Sequence, residues 1–183
     1  NGAAATIQTR IGASDTVETA KNSEIVFAVG ESAFILRGES RLVLETTEKS
    51  SLLVSALRLL TGALLSVHTS RMRITTVTAT IGIRGTGVYL EADPERTYYC
   101  TCYGISQVTA INDPNSKKNV VAKHHDRPIY ILAKAASGES IRDAPFINHT
   151  DQELALIETL VGREPPFVFP GDDYRSPRRD YEY

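Results

Sequence analysis

Both cysteines of this 183-residue chain, Cys100 and Cys102, fall in the stretch Tyr98-Tyr99-Cys100-Thr101-Cys102-Tyr103-Gly104. In a strand, residues two apart share a face, so the sulfurs point together while Tyr99, Thr101 and Tyr103 face away. Their Cα atoms would be about 6.6 Å apart. That is close to the upper limit for a disulfide, about 6.8 Å, so such a bond would be strained. Two thiolates on one metal tolerate the spacing better. Three of the four histidines come later, in His124-His125-Asp126 and at His149. Two cysteines and two histidines suit tetrahedral zinc, or copper(I) through the softness of thiolate. Adjacent His124 and His125 point to opposite faces if their strand continues, so one of the two is expected to ligate. The spacing matches no standard zinc finger, and a disulfide and a plainly packed pair remain open alternatives.

Other chemistry is sparse. The sequence has no Gly-x-Ser-x-Gly elbow and no His-Glu-x-x-His. A thiol nucleophile paired with His124 or His125 lacks any recognisable oxyanion hole, so a non-enzymatic protein is expected. Gly82, Gly85 and Gly87 lie between two strand-like segments, whereas a phosphate cradle needs a helix to follow; they read as turn-formers. Arg84 is expected at a buried or edge position, bonding neighbouring backbone carbonyls. His68 is expected at a strand edge without a role. Asn148-His149-Thr150 matches a glycosylation sequon, but helix capping already explains Thr150.

The elements that must position these residues are mostly strands. Residues 24–45 alternate apolar side chains at period two, through Ile25, Phe27, Val29, Phe34, Leu36, Leu42 and Leu44. Gly30-Glu31-Ser32 and Gly38-Glu39-Ser40 punctuate them, a repeat that fits stacked rungs or a tight meander. Residues 51–68 fit a helix or a strand. Residues 73–91 read as two strands around a Gly-Thr-Gly bend, and further strands are expected at 97–103, 105–111, 119–125 and 129–133. The segments 92–97 and 111–119 read as turns. The period changes only after His149. Thr150 with Glu153 forms a capping box, Leu154, Ile157, Leu160 and Val161 make a stripe, and Gly162 with Pro165-Pro166 ends the helix. Residues 167–183, which include Asp172 and Asp173, show no periodic face and read as a flexible tail.

A net charge of −2, from 20 basic and 22 acidic residues, argues against nucleic acid as a partner. No apolar run approaches the ~20 residues that span a bilayer. The chain opens on Asn1-Gly2 with neither a methionine nor a signal-peptide pattern, which reads as a processed or shortened start.

The stretch Thr78-Ala79-Thr80-Ile81-Gly82-Ile83-Arg84-Gly85-Thr86-Gly87-Val88-Tyr89-Leu90-Glu91 resembles the signature of FecR-type domains, with Arg84, Gly85 and Thr86 at its core. The stretch from Gly12-Ala13-Ser14-Asp15-Thr16-Val17 to Leu44-Glu45 is similar to the opening of that family. The likeness covers about residues 1–133. It implies a β-rich, solenoid-like module in the periplasm or otherwise outside the cytoplasmic membrane, relaying a signal from an envelope protein or small ligand. It also implies that the module begins before Asn1. In FecR-like strands the apolar residues fall where Tyr99 and Thr101 stand, so Cys100 and Cys102 would take the outward face. The resulting expectation is an all-β module, short-stranded and solenoid-like or a meander, over residues 1–145. A capping helix over 146–164 and a flexible tail over 165–183 complete it. The alternative is a periplasmic protein that binds zinc or copper, or responds to redox, through Cys100, Cys102 and the histidines.

Overall fold

The computed structural model describes residues 2–46 and 54–167. Ten strands and one helix follow in chain order: β1 (Thr16–Glu18), β2 (Ile25–Val29), β3 (Ser32–Leu36), β4 (Arg41–Glu45), β5 (Ala56–Thr75), β6 (Ala79–Ala92), β7 (Arg96–Ala110), β8 (Lys117–Ala122), β9 (Ile129–Leu132), β10 (Ile141–Asp143) and α1 (Asp151–Leu160). The ten strands form one open antiparallel sheet in the order β1-β4-β5-β6-β7-β9-β10, with the β2–β3 hairpin joined to β5 through β3, and β8 to β7. The all-β expectation holds; β4 to β7 pair in chain order, whereas β1 pairs with β4 and β7 with both β8 and β9.

Several boundaries differ from the sequence reading. Within the described part of 51–68 the chain is strand from Ala56 on: Leu57, Leu59, Leu64, Leu65 and Val67 are buried on both faces of β5. Burial on both sides erases the alternation that would have distinguished strand from helix. The Gly-Glu-Ser repeat is not a structural repeat. Gly30 turns the β2–β3 hairpin, whereas Ser40 sits where the chain passes from β3 to β4, two strands that pair with different parts of β5. Residues 79–92 are one strand rather than part of two, and 96–110 are likewise one, each bent by register shifts near Gly87 and Gly104. Asp93 fixes the β6–β7 turn by accepting from the backbone N–H groups of Glu95 and Arg96 at 2.8 and 2.9 Å.

The sheet curls so that both faces are used. Its inner face buries Phe34, Leu42, Leu59, Ile81, Val88, Tyr99 and Ile129 in the main core. Its outer face is covered by α1 over β3 and β5, where Leu154 and Ile157 meet Ala33, Ile35, Leu65 and Val67, and by the segment before the helix over β6 and β7. Leu160, expected in the apolar stripe, is 49% exposed.

The helix start carries the capping box. The Thr150 hydroxyl accepts from the Glu153 N–H at 3.3 Å, and the Glu153 carboxylate accepts from the Thr150 N–H at 2.9 Å. Glu153 also pairs with Arg37 at 2.6 Å, fastening the helix to the end of β3. Thr150→Ala is expected to cost about 1 kcal/mol, or about 2–4 °C in melting temperature. An unchanged calorimetric melting curve would mean that the helix contributes nothing to the cooperative unit.

Candidate metal centre

The thiols sit on the outer face of β7, as the strand register requires, yet nothing there is solvent. Cys100 and Cys102 are both fully buried, because α1 and the segment leading into it lie over them. The expectation of an outward, exposed pair is corrected on that point. The face is outward from the main core, but the helix builds a second core on top of it. Neither cysteine is in a disulfide.

Two loops bring the histidines in. After β8 the chain reverses through Lys123–Asp126, where Asp126 accepts from the Lys123 N–H at 2.8 Å. His125 takes a left-handed backbone conformation there (φ 52°), and its N–H donates to the Cys102 carbonyl at 2.7 Å. Its ring therefore turns in over the thiols. The segment before α1 is pinned by Tyr98, whose hydroxyl donates to the Pro145 carbonyl at 3.0 Å and accepts from the Ile147 N–H at 3.3 Å. His149 follows, stacked on Tyr89 with ring centroids 4.4 Å apart. The tyrosines around the thiols thus hold the lid of the site.

The resulting cluster is tight. One donor atom each from Cys100, Cys102, His125 and His149 lies within 4.8 Å of the other three, and all four residues are buried. Cys100 Sγ is 3.6 Å from His125 Nδ1, and His125 Nδ1 is 3.1 Å from His149 Nε2. Each ring is oriented by its other nitrogen. His149 Nδ1 is 2.7 Å from the Ile147 carbonyl oxygen, which can only accept, so Nδ1 carries the hydrogen. His125 Nε2 is 2.8 Å from Asp151 Oδ1, so this nitrogen donates too. Both inward nitrogens are then bare in neutral rings. Two lone pairs 3.1 Å apart beside two sulfurs need a cation among them, a proton or a metal ion.

The electrostatics agree. Burial pushes the Cys100 thiol up, but its contacts with Cys102, His125 and His149 outweigh that and hold it well below the ordinary thiol value. Cys102 is pushed well up, by burial and by its neighbour Cys100. Burial opposes the charged form of His125, yet its bonds to Asp151 and Cys100 prevail and raise it to about 8. Asp151 feels the same opposition from burial, and the two histidines keep its carboxyl low.

Of the five ligand candidates, four converge. His124 faces away from the thiols: its Nε2 lies 2.9 Å from Asp151 Oδ2, and its ring packs on Phe167. With His125 and Asp151 it forms a second group that shares His125. Asp151 was not singled out in the sequence. Its only signal is its place in the first helical turn, directly after His149-Thr150. Phe167 also packs against Tyr103, so the start of the expected tail lies on the protein; residues 168–183, with Asp172 and Asp173, fall outside the described residues.

The Arg84-Gly85-Thr86 signature proves to be a bulge. Arg84 is exposed and does not bond the carbonyls; Thr86 does, donating to Arg84 O at 2.8 Å and Ile105 O at 3.1 Å. Beside it, Tyr103 lies flat on Gly87, where a Cβ would come within 2.5 Å of the ring, and its hydroxyl reaches Glu158 on α1. His68 is buried rather than at an edge. Its ring nitrogens are each 2.9 Å from a hydroxyl, Ser32 and Ser66, and burial lowers its pKa to about 3.

No family model matches the chain, and no curated protein matches it. Two crystal structures, each described as a putative anti-sigma factor from Parabacteroides distasonis, are similar to it in fold. The first superposes with a TM-score of 0.57 at 12% identity over 79% of this chain, which spans 65% of that protein's length. The second gives 0.56 at 13% identity, over 88% of this chain and 83% of that one. The chain shares their fold. At such identity the likeness concerns backbone architecture, and the Cys-His cluster stands on its own geometry.

Proposed function

We propose that this chain is a non-enzymatic binding or signalling module of the bacterial envelope whose helix is fastened to its sheet by a buried Cys2His2 metal centre. Zinc is the favoured ion and copper(I) the alternative. The observation that carries the reading is the mutual 4.8 Å approach of four buried donors, with the remote nitrogen of each histidine held by an oxygen acceptor. That second layer is the usual support of a metal-bound imidazole. With four protein donors the ion has no open position, which suits a structural or sensing role rather than hydrolysis. On binding, the ion displaces whatever protons remain on the two thiols.

The signalling part rests on the FecR-type resemblance around Arg84, Gly85 and Thr86 and on the fold shared with the two Parabacteroides distasonis proteins. It implies a periplasmic location and a partner that is an envelope protein or a small ligand. The deciding experiment is elemental analysis of protein purified without a histidine tag, paired with intact-mass measurement. One equivalent of zinc or copper is expected, lost in Cys100→Ser. Protein that takes up neither ion on loading, or whose mass is two hydrogens below the reduced value, would sink the metal reading.

A further inference from the structure

We infer that the solvent face at the far end of β5, β6, β7 and β8 is a docking surface for an acidic, extended protein segment. The strand register places Arg71 directly opposite Arg84, followed across the sheet by Ile105 and Val121. Two residues along, Arg73 lies opposite Gly82, with Gln107 beyond. Two further along, the row from Thr75 ends at Lys117. These three rows hold four cations, no carboxylate and no aromatic ring. Among the described residues, Arg71, Arg73, Arg84 and Lys117 take part in no ion pair.

Such a pattern costs stability. Like charges directly opposite in an antiparallel pair repel, and Arg71 and Arg84 stand so in a protein whose net charge is −2. Elsewhere on the same sheet other arginines are matched: Arg41 with Glu18, Arg58 with Glu45 and Arg96 with Asp93. Among the described residues, Arg71 and Arg84 are the one like-charge pair that the register sets directly opposite. The face also has relief. Gly82 has nothing within 4 Å of where a Cβ would stand, and a groove of about 600 Å³ runs over it between the three arginines, Ile105 and Gln107.

The occupant follows from shape and charge. Arg71 and Arg73 lie two apart on a strand, about 6.6–7 Å in Cα spacing. An extended peptide presents alternate side chains at the same interval, so carboxylates at its positions i and i+2 meet both guanidinium groups, each of which can bond a carboxylate through two N–H donors. Ile105 and Val121, 48% and 72% exposed, offer apolar contact beside the charges. Nucleic acid is disfavoured, since single strands need aromatic platforms to stack on and the face has none. The surface is separate from the Cys-His cluster, so its test does not depend on metal.

The probe is a fluorescein-labelled peptide of about 12 residues alternating glutamate with valine and serine, titrated by anisotropy with the full chain. Saturable binding is expected, weakened at least about tenfold by Arg73→Glu with Arg84→Glu, and weakened as salt rises. The same peptide with lysine for glutamate should not bind. The double variant should melt at or above the parent temperature, since it relieves the repulsion on Arg71; if charge reversal unfolds the protein, Arg73→Gln with Arg84→Gln takes its place. Absence of binding at about 1 mM peptide, or equal binding by the variant, overturns the proposal. So does tighter binding of a single-stranded oligonucleotide of equal charge.

Discussion

Zinc-loaded protein is expected to melt about 8–16 °C above the same protein stripped by a chelator. An ion held at about 1,000 times its dissociation constant stabilises the native state by about 4 kcal/mol. For a chain of this length each kcal/mol moves the midpoint by about 2–4 °C. The gain should vanish in Cys102→Ser, whose oxygen is a poor substitute for a thiolate donor. It should shrink as pH falls through about 8, the value to which Asp151 and Cys100 raise His125, because protons then compete for the same lone pair. Differential scanning calorimetry of loaded, stripped and Cys102→Ser protein decides it. Coincident melting of the loaded and stripped forms would mean that no ion bridges helix and sheet.

Gly104→Ala should be the most damaging single glycine replacement near the site. Its backbone is left-handed at φ 93°, and an added Cβ would stand 2.8 Å from the Thr86 hydroxyl and press on the Gly85 carbonyl. Left-handed strain costs roughly 1–2 kcal/mol, and forcing a methyl into packed backbone adds roughly 1–3. The sum is about 2–5 kcal/mol, with a fall in melting temperature of about 4–20 °C. Gly82→Ala is the control, since a Cβ there meets nothing within 4 Å. Equal melting temperatures for the two variants would remove the structural reading of the signature bulge.

Much of this architecture was legible in the sequence because period two survives wherever one face of a strand is wet. It was legible in residues 24–45 and in the i, i+2 placement of Cys100 and Cys102. It failed in β5, where both faces are covered, and at Gly87 and Gly104, where bulges bend a strand without ending it. The capping box located the helix start from two residues alone. The choice between His124 and His125 was beyond local pattern. It depends on the positive φ of His125 and on a hydrogen bond to Cys102, a contact between residues 23 positions apart that only the folded sheet creates. Arg84, expected at a buried or edge position bonding carbonyls, is instead exposed on an interior strand; the buried, carbonyl-binding residue is Thr86, two positions on.

The burial of all four donors has a kinetic consequence. They come from a strand, a turn and a loop spread over residues 100 to 149, and the helix entrance closes over them. A nascent chain therefore has no short finger with which to seize an ion, so any capture would follow assembly of the sheet. Release runs the same route backwards. Were an ion bound, its exchange could go no faster than the segment before α1 lifts from Tyr89 and Tyr98, so its residence time would act as a clock for local opening, to be set beside amide exchange in that segment.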